Sequence, residues 1–500
     1  MVTQRGWKME MTRRAFCRKS SAGLAGIVAA CTAPVFVPAR VLGAEAPSKK
    51  LALGVIGCGR IANSYNVPSC LKNGGKDLCE FIALSDVDLV RLRHLKRRLA
   101  GAKMQGRDLV ADTRCYQDYR RLLSDPAVDG VLIAVPDHWH AQMAIEACRA
   151  GKDVFLQKPM AMTIGEGRAI VDAAKKYNRI LRTGTQERTE ENFIHAVECV
   201  REGRLGKVVR VEVGLPDDPK EYDLPAEEPV PADFDWDLWQ GCAPEAPYAR
   251  LRSHQRGVGR DAGKVNFARG GWMTIQAYDM GMIANWGAHH LDTAQRGLGE
   301  ELGGPVSVEG TCDYPKGRRL WDVHGECDIT WTYASGAVIK LGSTRKYPCG
   351  VRFVGEKGDW IFCGFKGRQT ASDPVGVSSD KVAGLPIAAS RKGLVEDSVA
   401  HPLPRPLEHN REWVEEMRTR GPLAMPLEEA QRTSTTCVLG YMAMKLGRKL
   451  AWNAKAERFV DDAQANAMMF REERAGFGVR QYLKELKSWC AKQSSAELAN

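Results

Sequence analysis

Three side chains of this 500-residue chain have the types and spacing to move a proton beside an oxygen. Lys158 follows Gln157 and precedes Pro159, just past a short apolar run, where an ammonium can hold a hydroxyl and balance a developing oxyanion. Asn285 and His289 stand four residues apart with Asp292 three further on, so on one helix the three share a face. An imidazole takes a proton near neutral pH, whereas an amide orients a hydroxyl without accepting its proton. Asp292 either holds the imidazole or caps local structure, and His290 packs. Such groups suit oxidation of a secondary alcohol, which also needs a hydride acceptor. His138, His140, His289 and His290 are four of ten histidines and raise a metal site. H-x-H is not a helical zinc pair and no CxxC completes a set, so no metal is expected.

The hydride acceptor is foreshadowed near the start. Leu51–Ile56 is an apolar run of strand length, followed at once by Gly57-Cys58-Gly59-Arg60-Ile61-Ala62. This is the G-x-G-x-x-A form of the dinucleotide fingerprint: Gly57 for a tight turn, Gly59 for close approach of a pyrophosphate, Ala62 for helix–strand packing. The N–H groups of the helix that opens at Arg60 and Ile61 would receive the phosphates. The next strand, Phe81–Leu84, ends in Ser85-Asp86, an acid placed to accept from a ribose diol. Asp86 favours NAD, while Arg91 and Arg93 leave NADP open. Strands over 130–135 and 153–156, with a helix over 141–150 closed by Gly151, complete a βα alternation that predicts a parallel doubly wound sheet. Ligands of such sheets sit at the strand carboxyl ends, where Pro136–His140 and Gln157–Pro159 begin.

Those segments carry a resemblance. Pro136-Asp137-His138-Trp139-His140, Gly151-Lys152-Asp153-Val154 and Gln157-Lys158-Pro159 together resemble the Gfo/Idh/MocA oxidoreductases. The similarity continues through Gly184–Arg188, Phe234–Gly241, Asn285–Asp292 and Asp462–Asn466, and so spans nearly all the chain beyond its first segment. It implies an α/β fold: an N-terminal Rossmann domain, set at 49–165, and a C-terminal α+β substrate and oligomerisation domain, 166–500, with a large open, mostly antiparallel sheet. It implies a nicotinamide bordered by Pro136, His138, His140, Gln157, Lys158 and Gln186. It also places His289 as the acid/base histidine and implies a homo-oligomer built on the open sheet face. Two positions depart from the family pattern: Gln157 replaces the usual glutamate, and Asn285 stands where many relatives have an aspartate. Acid/base work then falls to His289 with Lys158. Arg188, Trp272 and Tyr278 could line a carbohydrate-sized pocket.

The formal charge of +11 invites a nucleic-acid reading, but its location argues against one. Residues 1–44 hold seven basic side chains and one acid, and the remainder carries 65 basic against 60 acidic. Thr12-Arg13-Arg14-Ala15-Phe16 resembles the twin-arginine export signal, followed by the apolar stretch Ala22–Val37 and a small-residue site at Gly43-Ala44. The reading is a removed leader, the twin-arginine machinery as partner, and a periplasmic or extracytoplasmic product; Val28-Ala29-Ala30-Cys31 offers lipid anchoring at Cys31 instead. The thirteen cysteines beyond Cys31 show neither a disulfide framework nor a zinc pattern.

In the second half, strands are expected over 208–213, 327–332, 337–341, 350–355 and 359–362, with Ala334-Ser335-Gly336 turning a hairpin. Residues 217–231 and 369–406 are expected to be irregular. Three functions compete. The first is an exported NAD(P)-dependent oxidoreductase of a sugar, glycoside or polyol, its cofactor tightly held because free nucleotide is scarce outside the cytoplasm. The others are an NAD-dependent enzyme that cleaves glycosides by oxidation and elimination, and a non-catalytic sugar-binding protein.

Overall fold

Strands buried on both faces read as unbroken apolar runs, and LALGVI is one. In the computed structural model, which describes residues 50–72, 75–101, 113–217, 222–254, 270–364, 370–372, 393–395 and 398–498, it forms β1 (Leu51–Ile56). The expected leader at 1–44 and the anchoring position Cys31 lie outside the described residues, as does much of the 369–406 insertion. β1 pairs in parallel with β2 (Cys79–Ser85) on one side and β4 (Gly130–Ile133) on the other. β3 (Arg114–Tyr116), β5 (Asp153–Leu156) and β6 (Leu181–Thr183) complete a parallel sheet of order β3-β2-β1-β4-β5-β6. The order reverses between β1 and β4, which opens a crevice at their carboxyl ends.

The expected strands at 51–56 and 153–156 form as read, and 81–84 lies inside β2. The expected domain boundary at 165 is too early. The helix from Ile164 to Lys176, capped by Thr163 accepting from the Glu166 N–H, is the crossover from β5 to β6, so the parallel sheet runs to Thr183. Nor is 166–500 a separate block. The helix His409–Thr419 returns to bury Trp413, Val414 and Met417 against β1 and β2 residues, and Tyr482 and Leu486 join the opposite layer of the same half.

Among the described residues the second sheet has nine strands: β7 (Val208–Leu215), β8 (Ser307–Cys312), β9 (Cys327–Thr332), β10 (Val338–Ser343), β11 (Gly350–Gly355), β12 (Trp360–Cys363), β13 (Thr370–Ala371), β14 (Leu450–Asn453) and β15 (Arg458–Phe459). Their order is β13-β12-β11-β7-β10-β9-β8-β14-β15, antiparallel except for β7 with β10. The expected hairpin joins β9 to β10, with Thr332 opposite Val338 and Gly336 at φ +86°. Ile329 and Trp331 of β9 point inward while Asp328 is exposed, the alternation of a sheet covered on one face. Its cover includes the helices Gly287–Leu298 and Leu427–Leu446. Gly440 of the latter lies so close to the Trp331 ring that a Cβ would come within 2.5 Å of it.

Candidate active site

A cleft of about 630 Å³ opens at the carboxyl edge of the parallel sheet and is walled on its far side by the second half of the chain. At one end lies the fingerprint turn. Gly57 has φ +90°, and a Cβ there would stand 2.3 Å from the Ala134 carbonyl oxygen, so only glycine fits. Gly59 faces the opposite situation: nothing lies within 4 Å of where its Cβ would be, which leaves bare backbone on the cleft. The helix begins at Arg60, and first-turn N–H groups have no carbonyl of their own helix to bond. Arg60 and Ile61 line the cleft beside it, so the turn is a cradle of the shape and polarity that a pyrophosphate requires.

Asp86 lines the same end. One of its oxygens accepts from the Cys58 N–H at 2.7 Å and the other from the Asp88 N–H at 2.8 Å, which ties the end of β2 to the turn after β1. Burial, and then the neighbouring Asp88, push its carboxyl up to about 6. Its remaining lone pairs can accept from a ribose diol, and the two acids together oppose a phosphate there. Of the two arginines that left NADP open, Arg91 lines the cleft and lies 3.8 Å from Asp88, whereas Arg93 is on the surface, 4.0 Å from Asp233.

At the other end Lys158 Nζ donates to Asn285 Oδ1 at 3.3 Å, and His289 lines the wall beside them. The expected single helix is broken: Met282–Asn285 and Gly287–Leu298 are separate helices joined at Trp286. Asn285 and His289 still face the cleft, but Asp292 does not. It points into the core, where Arg188 grips both its oxygens at 2.7 and 2.6 Å and Thr433 donates at 2.9 Å. Burial, followed by the charge of Lys158, holds His289 well below the ordinary histidine range, so it is a neutral imidazole at pH 7. His290 is buried behind it, its Nδ1 3.2 Å from the Gly214 carbonyl and its Nε2 3.1 Å from Glu187.

Pro136, Gln157 and Gln186 also line the cleft. His138 and His140, expected beside the nicotinamide, stand behind its wall. Both are fully buried: His138 Nε2 meets the Trp239 carbonyl at 3.1 Å, and His140 lies between the carbonyls of Pro159, 2.6 Å from Nδ1, and Val135, 3.1 Å from Nε2, its neutral ring donating to one of them. Burial keeps them neutral, pulling His138 down to about 3 and His140 to about 4. They brace the two strand-end segments that carry Lys158 and Pro136. Of the pocket candidates, Trp272 lines the cleft; Tyr278 is buried against His138 and Trp239, and Arg188 is consumed by Asp292 and Glu429. Asp137 and Asp279, not assigned a role from the sequence, lie at the chemical end. Asp137 lines the cleft and Asp279 receives Asn285 Nδ2. Asp137 could have been singled out from its place at a strand end; nothing local marks Asp279.

The Gln157 departure has a physical basis. Its Nε2 donates to Asn66 Oδ1 at 3.0 Å, and Asn66 in turn donates to Asn410 Oδ1 at 3.3 Å, all three side chains buried. A glutamate would set a carboxylate against an acceptor. Gln157→Glu is therefore expected to cost about 1–3 kcal/mol in unfolding free energy, the price of a buried unsatisfied polar contact. Denaturant titration checks this, and an unchanged midpoint would mean that the Asn66 amide simply turns over.

The family model described as an oxidoreductase family with an NAD-binding Rossmann fold matches residues 51–185. The model of its C-terminal alpha/beta domain matches 221–372 and 389–479. Myo-inositol 2-dehydrogenase of Thermotoga maritima is 31% identical over 159 residues, covering 31% of this chain and 42% of the relative. Levoglucosan dehydrogenase of Pseudarthrobacter phenanthrenivorans is 26% identical over 232 residues, 46% of this chain and 52% of the relative. The chain thus spans about half the length of these curated relatives. The solved aldose–aldose oxidoreductase of Caulobacter crescentus, complexed with glycerol, superposes with a TM-score of 0.53 at 19% identity, covering 81% of this chain and 100% of that one. That likeness speaks to the fold.

Proposed function

Since the chain belongs to the Gfo/Idh/MocA oxidoreductase family, with its NAD-binding Rossmann fold and C-terminal alpha/beta domain, we propose that it is an exported enzyme transferring a hydride between NAD and a secondary hydroxyl of a sugar, glycoside or polyol. The observation that carries this reading is one cleft with the Gly57–Gly59 cradle and Asp86 at one end and Lys158, Asn285 and His289 at the other. The polyol and sugar substrates in the names of the curated relatives support the substrate class.

NAD, when bound, supplies the hydride acceptor. Gly59, Arg60 and Ile61 would hold its phosphates, Asp86 its adenosine ribose, and Pro136, Gln157 and Gln186 flank its nicotinamide half. Lys158, fixed by Asn285, donates to the substrate oxygen and places positive charge beside it, which favours the alkoxide. His289, half-buried in the cleft wall and held neutral by desolvation, accepts the hydroxyl proton. Trp272 and Trp286 offer flat faces to a sugar ring and limit water.

The leader-like segment at 12–37 supports export, with Cys31 anchoring as its variant. Outside the cytoplasm the nucleotide would be held tightly, reduced by one substrate and reoxidised by another, and two copies would meet through the open sheet face. Denaturing protein recovered from the exported fraction and measuring the mass and absorbance of released nucleotide tests this. Protein free of nucleotide, and producing no NADH with any sugar or polyol supplied with NAD, would sink the reading. Aglycone release without net cofactor reduction would favour the cleaving alternative.

A pH profile follows from His289. The active form is the neutral base, and its proton affinity is lowered, so kcat/KM should stay level from about pH 8 to about 6.5 and decline only below that. His289→Gln should lower kcat/KM about a hundredfold and erase the acid limb. An acid limb centred above the ordinary histidine value would exclude His289 as the base.

A further inference from the structure

We propose that Asp137 and Asp279 are a buried carboxyl pair that positions Asn285 and sets the charge on Lys158, so that the negative group of this site stands one layer behind the reacting oxygen. The inference rests on the oxidoreductase reading and deepens it.

Asp137 leaves the end of β4 and is 3% exposed, while Asp279 is fully buried behind Asn285. Their carboxyl groups lie within reach of a hydrogen bond to each other. Two carboxylates have no hydrogen between them, so the contact requires one shared proton. The Asp279 carboxylate also accepts from Asn285 Nδ2, at 3.2 and 3.0 Å to its two oxygens, and from the Gly281 N–H at 2.7 Å. The Asn285 amide, whose Nδ2 also reaches the Gly281 carbonyl at 2.9 Å, is thereby fixed with Oδ1 toward Lys158 Nζ at 3.3 Å. Asp279 thus orients the acceptor that holds the lysine.

Burial and the charge of Asp279 push the Asp137 carboxyl well above its usual range, and Lys158 and Arg471 act in the opposite direction. The singly protonated pair carries one negative charge facing those two cations. Of the two cations, Arg471 is also paired with Glu166 at 2.7 Å. Nearby, burial holds His140 and His289 down, and it pushes Cys437 up to about 12 and Tyr441 above its usual range.

The pair also accounts for Asn285. An aspartate there would lose the Nδ2 donor and set a third carboxylate against Asp279. Asn285→Asp should therefore lower kcat/KM at least tenfold, and adding Asp279→Asn, which exchanges the two groups, should recover most of it. A readout that needs no turnover accompanies the kinetics: the pH dependence of Lys158 acetylation by acetic anhydride, followed by peptide mass. Either carboxyl alone ionises and keeps the single negative charge, so the lysine titration should move little in Asp137→Asn or Asp279→Asn, and the lysine pKa should fall by about one unit or more only when both carboxyls are replaced by Asn. Identical lysine titration in the wild type and in the protein with both carboxyls replaced overturns the charge role. A double variant no more active than Asn285→Asp overturns the positioning role. If the oxidoreductase reading itself fails, the wild type reduces NAD with no sugar, while the lysine titration still decides the charge role.

Discussion

Lys158→Met should lower kcat/KM by about 10³-fold or more while NAD still binds with its wild-type affinity. The side chain reaches the cleft from the turn after β5 and is held at 3.3 Å by Asn285, and the proposed function places it where charge builds on the substrate oxygen. A thousandfold is about 4 kcal/mol, the size expected for losing a preorganised cationic donor together with its part in proton transfer. Methionine keeps most of the stem's volume, which separates charge from packing. The proposed nucleotide contacts, Gly59 and Asp86, line the other end of the cleft, so cofactor affinity should not follow the rate. Lys158→Arg should also be slow, since guanidinium neither gives up its proton nor fits a point-charge position. Steady-state kinetics and nucleotide titration measure both quantities. A loss under tenfold would remove Lys158 from the chemistry.

How much of this site was legible depended on whether direction mattered. The fingerprint glycines and the β1 run are visible because both faces of that strand are buried and the turn tolerates only glycine at 57. Lys158, Asn285 and His289 reach the cleft as their places at a strand end and on one face of a helical segment predict. The same logic misplaced His138 and His140. They share a segment with Asp137 that leaves the sheet edge in a short helical turn, and on such a turn the side chains fan in several directions. Asp137 meets the cleft, and the two imidazoles turn inward to carbonyl groups. Asp279 has no local pattern because it acts through Asn285, a relation set by the bend at Gly281. The long helix Leu427–Leu446 left no apolar stripe, since Thr433, Ser434, Thr435 and Thr436 are all buried with its aliphatic residues. β6 was hidden for a related reason: its middle residue is Arg182, and an arginine flanked by two residues does not read as a buried strand.

That arginine carries the largest stability expectation. Arg182 is 1% exposed, and its guanidinium donates to Glu416 Oε1 at 2.5 Å from the helix that returns late in the chain. The same carboxylate oxygen accepts the Ala424 N–H at 2.8 Å, and His409 lies 3.5 Å from the guanidinium. Burial lowers the arginine's proton affinity and raises that of the glutamate, the direction in which each would rather be neutral; each is held charged by the other. Glu416→Ala strands the cation, so unfolding free energy should fall by about 3–5 kcal/mol. Glu416→Gln keeps a hydrogen-bond acceptor and should cost less. Replacing the pair together, Arg182→Met with Glu416→Leu, should restore most of the loss, because two desolvated charges are exchanged for apolar contact. Urea titration with an unchanged slope would report this as stability alone. If Glu416→Ala and the double replacement were equally destabilised, the cost would lie in packing at β6 and not in an unpaired charge. Because β6 leads directly into Gln186 on the cleft, loosening this pair should also weaken nucleotide binding before the fold is lost, a sequence that nucleotide titration across the urea range can follow.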